Sequence, residues 1–259
     1  MKLIAVAAAM VIVPLIGCGG DDDTSRPAPS TTKEPTSDTS EAEDLADEYL
    51  GLLAENDLGG MSRMLEMATP GSPAHLYATH QIAVVRMAGD APSTSTTGED
   101  GSVELCYPTL DGAGNQVEEC NTFAGFEINQ STGLLEWFTV DGVNIRERIT
   151  AGAPATGHGV TVHVRSSYQA ASGDLVVNVD ISNARPGPIA VADYEWAYIA
   201  PDGRQIAPSE EGYAAPDVEP GATAGFVAVF PQTVVGGALR FVAFADDFAT
   251  EIRFDVPTA

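Results

Sequence analysis

Cations are scarce in this chain. Twelve Lys and Arg face 37 Asp and Glu, for a formal net charge of -25, and the only lysines are Lys2 and Lys33. A nucleic-acid partner needs basic surface to neutralise phosphates and release counterions, so that class of function is excluded. Attraction to anionic lipid headgroups fails on the same ground. Long apolar runs are equally scarce. The single one, Leu3 to Leu15, falls short of the roughly 18 to 20 residues that cross a bilayer as a helix. No Gly-x-Ser-x-Gly elbow, phosphate loop or His-Glu-x-x-His helix occurs, which lowers the expectation of an enzyme and implies no cofactor.

The apolar run follows Met1-Lys2 and closes on Leu15-Ile16-Gly17-Cys18, the layout of a secretory signal with a short positive start and small residues before its end. The last four residues resemble the lipobox of Gram-positive bacterial lipoproteins. That resemblance implies that the Cys18 thiol receives diacylglycerol and becomes the mature N-terminus, with 1–17 removed as signal peptide. Each buried CH₂ contributes about 0.8 kcal/mol, so two or more acyl chains hold a protein stably on the outer face of the cytoplasmic membrane. The competing reading is an ordinary secretory signal in which Cys18 is incidental. Residues 18–40 are dominated by Ser, Thr, Pro, Asp and Glu and offer nothing to bury, so they read as a disordered tether. As a flexible coil it spans about 25 Å on average, and about 70 Å extended. Asp21 to Asp23 within it are read as solvating charge rather than a calcium site.

With Cys18 assigned to lipid, Cys106 and Cys120 remain. An even pair outside the cytoplasm points to a disulfide, and Pro108 to Asn115 between them carries turn signals that set the two cysteines on neighbouring strands. A metal site is the weaker idea, since two thiols without a nearby His make a poor ligand set.

Two folded units follow, divided near Gly152-Ala153-Pro154-Ala155. The first, 41–151, opens with helices. Ser40 and Glu43 have capping-box spacing before Leu45, Tyr49, Leu52 and Leu53. Met61, Met64, Leu65 and Ala68 suggest a second helix, and Ser72 with Pro73 starts a third that runs toward Gly89. After a polar loop from Ala91 to Asp100, strands are expected at Val103 to Tyr107, Val117 to Ile128, Leu134 to Val140 and Val143 to Ile149. The class is α+β, with helices packed on an antiparallel sheet. The stretch Phe123-Ala124-Gly125-Phe126-Glu127-Ile128, the turn at Ser131-Thr132-Gly133 and Leu134 to Val143 resemble the hairpin-rich end of cone-shaped domains of the nuclear transport factor 2-like and cystatin-like folds. Such folds host enzymes, ligand binders and scaffolds alike.

The second unit, 157–259, reads as strand after strand. Val160, Val162 and Val164 alternate with polar residues, as do Leu175, Val177, Val179 and Ile181. Tyr194, Trp196 and Tyr198 repeat the alternation, and Phe226 to Phe230, Leu239 to Phe244 and Ile252 to Val256 complete about seven strands of an all-β sandwich. The order of these elements, with Glu219-Pro220-Gly221 before a strand ending at Phe230, resembles the immunoglobulin-like modules of Gram-positive lipoproteins. The resemblance implies recognition or spacing outside the cell.

Candidate chemistry is thin. His75 and His80, five apart on one helix, face different sides, and His158 and His163 would do the same around a strand, so no metal set forms. The Asp111 to Glu119 loop has oxygens enough for calcium but lacks the alternating ligands of a known calcium loop. In a cone-shaped first domain the hollow between helices and sheet is the natural pocket, and Tyr49, Tyr77, His80 and Trp137 are the ligand-binding candidates. Tyr49 and Trp137 serve equally well as core. The expected role is binding or scaffolding at the cell envelope, attached to the membrane through lipid and in contact with an envelope protein. The alternatives are a small-molecule binder or an enzyme resembling the SnoaL-like cyclases, with His80 as its acid or base, and a spacer that presents one domain at a set height.

Overall fold

Helix starts are set locally by side-chain caps, first at Asp57 and Ser72. Asp57 accepts a hydrogen bond from the Gly60 backbone N–H, and Ser72 accepts one from His75 N–H with Pro73 next in line. Both satisfy donors that a helix start leaves unpaired. The structure, a computed structural model, describes residues 38–89, 93–110, 116–209, 217–246 and 248–259. The expected signal peptide, Cys18, the tether as far as residue 37 and the 111–115 loop lie outside the described residues.

The described chain is mixed α and β and mostly β. Three helices come first: α1 (Asp38–Glu55), α2 (Leu58–Met67) and α3 (Pro73–Ala88). A five-stranded antiparallel sheet follows, in the spatial order β1 (Thr94–Thr97), β2 (Val103–Leu110), β3 (Gln116–Asn129), β4 (Leu134–Val140) and β5 (Val143–Asn144). A short helix α4 (Ile145–Arg148) leads to β6 (Ile149–Thr150), β7 (Ala155–Gly157), β8 (Val160–Gln169) and β9 (Leu175–Asn183). Beyond them lie β10 (Ile189–Val191), β11 (Ala197–Ile199), β12 (Gln205–Ile206), β13 (Thr223–Phe230), β14 (Ala238–Ala245) and β15 (Thr250–Pro257). One sheet runs β13-β9-β8-β6, with β7 also paired to β8; the other runs β10-β14-β11-β12, with β15 also paired to β14. Every ladder in the three sheets is antiparallel.

Two apolar cores form. The first draws Tyr49 and Leu50 from α1, Met61 and Met64 from α2, Tyr77 from α3, Phe123 and Phe138 from β3 and β4, and Tyr168 from β8. The second takes side chains from both later sheets, among them Val162, Val179, Phe226, Trp196, Phe241 and Ile252. Burying each large apolar side chain is worth about 1.5–3 kcal/mol. The described residues make one compact unit. At Gly152 the chain passes so close to the C-terminal strand that a Cβ would overlap the Pro257 carbonyl oxygen, so glycine is required there by space alone.

Cys106 and Cys120 stand directly opposite each other on β2 and β3 and form a disulfide. Four local expectations differ from the structure. The first helix starts at Asp38 rather than after a Ser40 cap. The 91–100 stretch, expected to be a loop, contains β1, whose four Ser and Thr side chains are all exposed. Val143 to Ile149 is no continuous strand, because Asn144 accepts from Arg146 N–H and caps the turn of α4. Tyr194 lies inside a 3-10 turn over Asp193–Glu195 and Trp196 follows it, so the strand begins only at Ala197. There the indole N–H of Trp196 donates to the Val242 carbonyl at 3.0 Å, and the aromatic alternation reflects that anchor rather than a pleat.

Candidate functional site

Tyr49, Tyr77 and His80 are all sealed from solvent, and Trp137 is half-buried. Tyr49 and Tyr77 both meet Phe138, with ring centroids 6.1 and 5.4 Å away, and the Tyr49 hydroxyl donates to the Ala74 carbonyl at 2.7 Å. Tyr77 and His80 both meet Tyr168, at 5.3 and 5.5 Å. Burial pushes the Tyr49 and Tyr77 hydroxyls well above the usual tyrosine range, and it pushes Tyr168 to about 12. The same desolvation lowers His80 to about 3, so its ring is neutral at ordinary pH. Nδ1 of that ring lies 2.9 Å from Ser166 Oγ on β8. Trp137 sits apart from the other three, with the Arg146 guanidinium 5.1 Å above its ring. The structure thus brings Tyr49, Tyr77 and His80 into one aromatic cluster, and leaves Trp137 on its outer edge.

An open cleft lies elsewhere, where α3 meets β8, β9 and β13. A bulge in β8 between Val164 and Ser166 resets its alternation, so Ser166, Asn178 and Val227 form one buried row across the sheet. Two residues further along the same face of β9 and β13 come Asp180 and Gly225, paired with each other, and these are exposed to the cleft. The other wall is one face of α3, Thr79, Ile82, Ala83 and Arg86, at i, i+3, i+4 and i+7, extended by Met87 and by Leu65 of α2. The cleft encloses about 310 Å³. Its charged residues are Arg86, Arg165 and Asp180, and Arg165 Nε donates to Asp180 Oδ2 at 2.6 Å. None of the four expected ligand residues lines it.

A smaller hollow of about 130 Å³ lies beside Phe244 and Phe248, with Pro188, Ala190 and two aspartates, Asp217 and Asp246, around it. Phe248 is 69% exposed and holds φ at 66°, left-handed backbone that a bulky residue rarely adopts. Its ring packs on Phe244 at 5.6 Å.

Around the disulfide, Glu104, Cys106 and Cys120 offer ligand atoms close together, but the two sulfurs are committed to each other. Both histidine pairs stay apart from such a cluster, and His163 instead contacts the Gly152 carbonyl at 3.1 Å through Nε2. Sequence reasoning missed Arg86, Arg165 and Gly225. A glycine inside the apolar strand 223–230 and two arginines in a cation-poor chain were the available signals. No family model, curated protein or solved structure matches the chain.

Proposed function

We propose that this protein is a lipid-anchored binding or scaffolding module on the outer face of a bacterial cytoplasmic membrane. The observation that carries the proposal is Leu15-Ile16-Gly17-Cys18 at the end of a short apolar run. Acylated Cys18 is the attachment point, and the expected 18–40 tether sets the folded part away from the headgroups. Among the described residues no helix is long and apolar enough to cross a membrane, which is compatible with attachment through lipid. On this reading the helices and the first sheet make a cone-shaped unit of the cystatin-like kind, and the two later sheets make an immunoglobulin-like sandwich.

Two features favour binding over catalysis. The aromatic cluster around His80 is filled and sealed, so a substrate would have to displace packed side chains to reach its imidazole. Phe248, held exposed in a left-handed turn with its ring on Phe244, offers an apolar contact point for an envelope protein. Cross-linking on intact cells tests this role. A specific envelope protein should be captured by the wild type and lost when Phe248 is replaced by Ser. Equal labelling of every abundant surface protein, unchanged by that substitution, would contradict it.

A second reading has a specific observation behind it. The cleft beside α3 gives the chain a place for a small molecule, whether or not it also holds a partner.

A further inference from the structure

We propose that the cleft between α3 and strands β8, β9 and β13 binds a small organic anion, with one acidic head and a compact apolar body. The assignment rests on the small-molecule reading alone and is independent of how the protein is attached to a membrane.

Space comes first. About 310 Å³ is the low end of ligand-sized cavities, and its walls are regular elements rather than loops. The floor is open because position 225 lacks a side chain. Gly225 sits within β13 between Ala224 and Phe226, where glycine weakens a strand. Its backbone does not call for glycine, since it is not among the positive-φ positions. Nor does crowding, since an added Cβ would meet only Asp180 Oδ1, at an ordinary 3.7 Å. The contrast with Gly152, whose Cβ would overlap backbone, is direct. Folding alone would accept a β-branched residue at 225, and such a residue would project into the cleft and narrow its floor.

Charge selects the ligand class. The lining holds two guanidinium groups and one carboxylate, a net positive charge in a protein whose total is -25. Arg165 is held by Asp180, whereas Arg86 has no carboxylate partner among the described residues. A guanidinium presents a planar fork of donors that matches a carboxylate or phosphate head. Leu65, Ile82, Ala83 and Met87 supply the apolar wall, and the methionine adapts to irregular shapes. A cation would meet two like charges against one carboxylate that Arg165 already engages, and a neutral apolar compound would leave the Arg86 fork unused.

The test uses the mature chain, residues 18–259 with Cys18→Ser, which carries neither the apolar leader nor acyl chains and needs no detergent, and follows the methyl NMR signals of Ile82, Leu65 and Met87. Octanoate, octylammonium and octanol are titrated separately. Saturable shifts with octanoate, and tighter binding than either of the other two, are expected. Arg86→Gln should weaken octanoate by about tenfold, and Gly225→Val should abolish binding while near-UV circular dichroism and the melting temperature hold or rise. If Gly225→Val fails to fold, Arg86→Gln, at an exposed position, still decides the matter. No saturable shift with octanoate, equal or tighter binding of octylammonium or octanol, or octanoate affinity unchanged by Arg86→Gln overturns the proposal. None of these outcomes bears on the lipid anchor.

Discussion

His80 and Ser166 are 86 positions apart in the chain, and Nδ1 of the first lies 2.9 Å from Oγ of the second, with both side chains buried. The pair joins α3 to β8 through a polar contact that water does not reach. A hydrogen bond in such surroundings has a modest net value while intact, but losing one partner leaves the other unsatisfied, at a cost of about 1–3 kcal/mol.

The pair sets a pH dependence. Burial lowers His80 to about 3 in the folded protein, against about 6.5 when the chain is unfolded. Between those values the unfolded state binds a proton that the folded state excludes, so stability falls as pH drops through that window and is fully present above it. The contribution is about 1.4 kcal/mol for each pH unit. Urea denaturation at about pH 7 and about pH 4 should show wild type losing more stability on acidification than His80→Gln. Equal losses in the two proteins would mean that His80 is not the titrating group.

The disulfide ties β2 to β3 at directly opposed positions, with 14 positions of sequence separation. Closing a loop of this size is worth up to about 3 kcal/mol in the chain-entropy model. Cys106→Ser with Cys120→Ser should lower the denaturation midpoint by a corresponding amount, and a reducing agent should do the same to wild type but not to the double variant.

Asn183 organises the turns between β9, β10 and β13. Its side-chain amide donates to the Gly187 carbonyl at 2.9 Å and the Val218 carbonyl at 2.8 Å, and its Oδ1 accepts from Arg185 N–H at 2.9 Å. Replacing it with Ala leaves the Gly187 carbonyl and the Arg185 N–H without these partners, while the Val218 carbonyl keeps its bond from Ile189 N–H, and should cost about 1–3 kcal/mol. Asn183→Asp should cost a similar amount, because a carboxylate accepts but cannot donate to the two carbonyls. Chemical denaturation of both variants checks the pair of predictions.

What could be seen in the sequence was what is decided over a few residues. Ser72 and Pro73 mark the start of α3, the β8 and β9 alternations stand out, and the Cys106 to Cys120 spacing with its turn signals announces a hairpin. β1 was missed because Thr94–Thr97 buries nothing and so carries no apolar period. The Tyr194 to Tyr198 pattern misled because Tyr194 is exposed while Trp196 and Tyr198 are buried for separate reasons. Each of those two makes its own hydrogen bond, to the Val242 carbonyl and to the Val234 carbonyl. The β8 bulge shows the limit most plainly. It turns Ser166 beneath α3, and no local pattern says that a histidine 86 positions earlier will meet it. The cleft was hidden for the same reason, since its floor and wall come from residues 65 to 87 and 165 to 225.

The central claim is that acyl chains on Cys18 hold this protein at a membrane surface. Labelling cells with radioactive palmitate and recovering the protein tests it most directly. The account predicts label on the wild-type chain, found in the membrane fraction, and no label on Cys18→Ser. An unlabelled wild-type chain, or label that persists in Cys18→Ser, would contradict it.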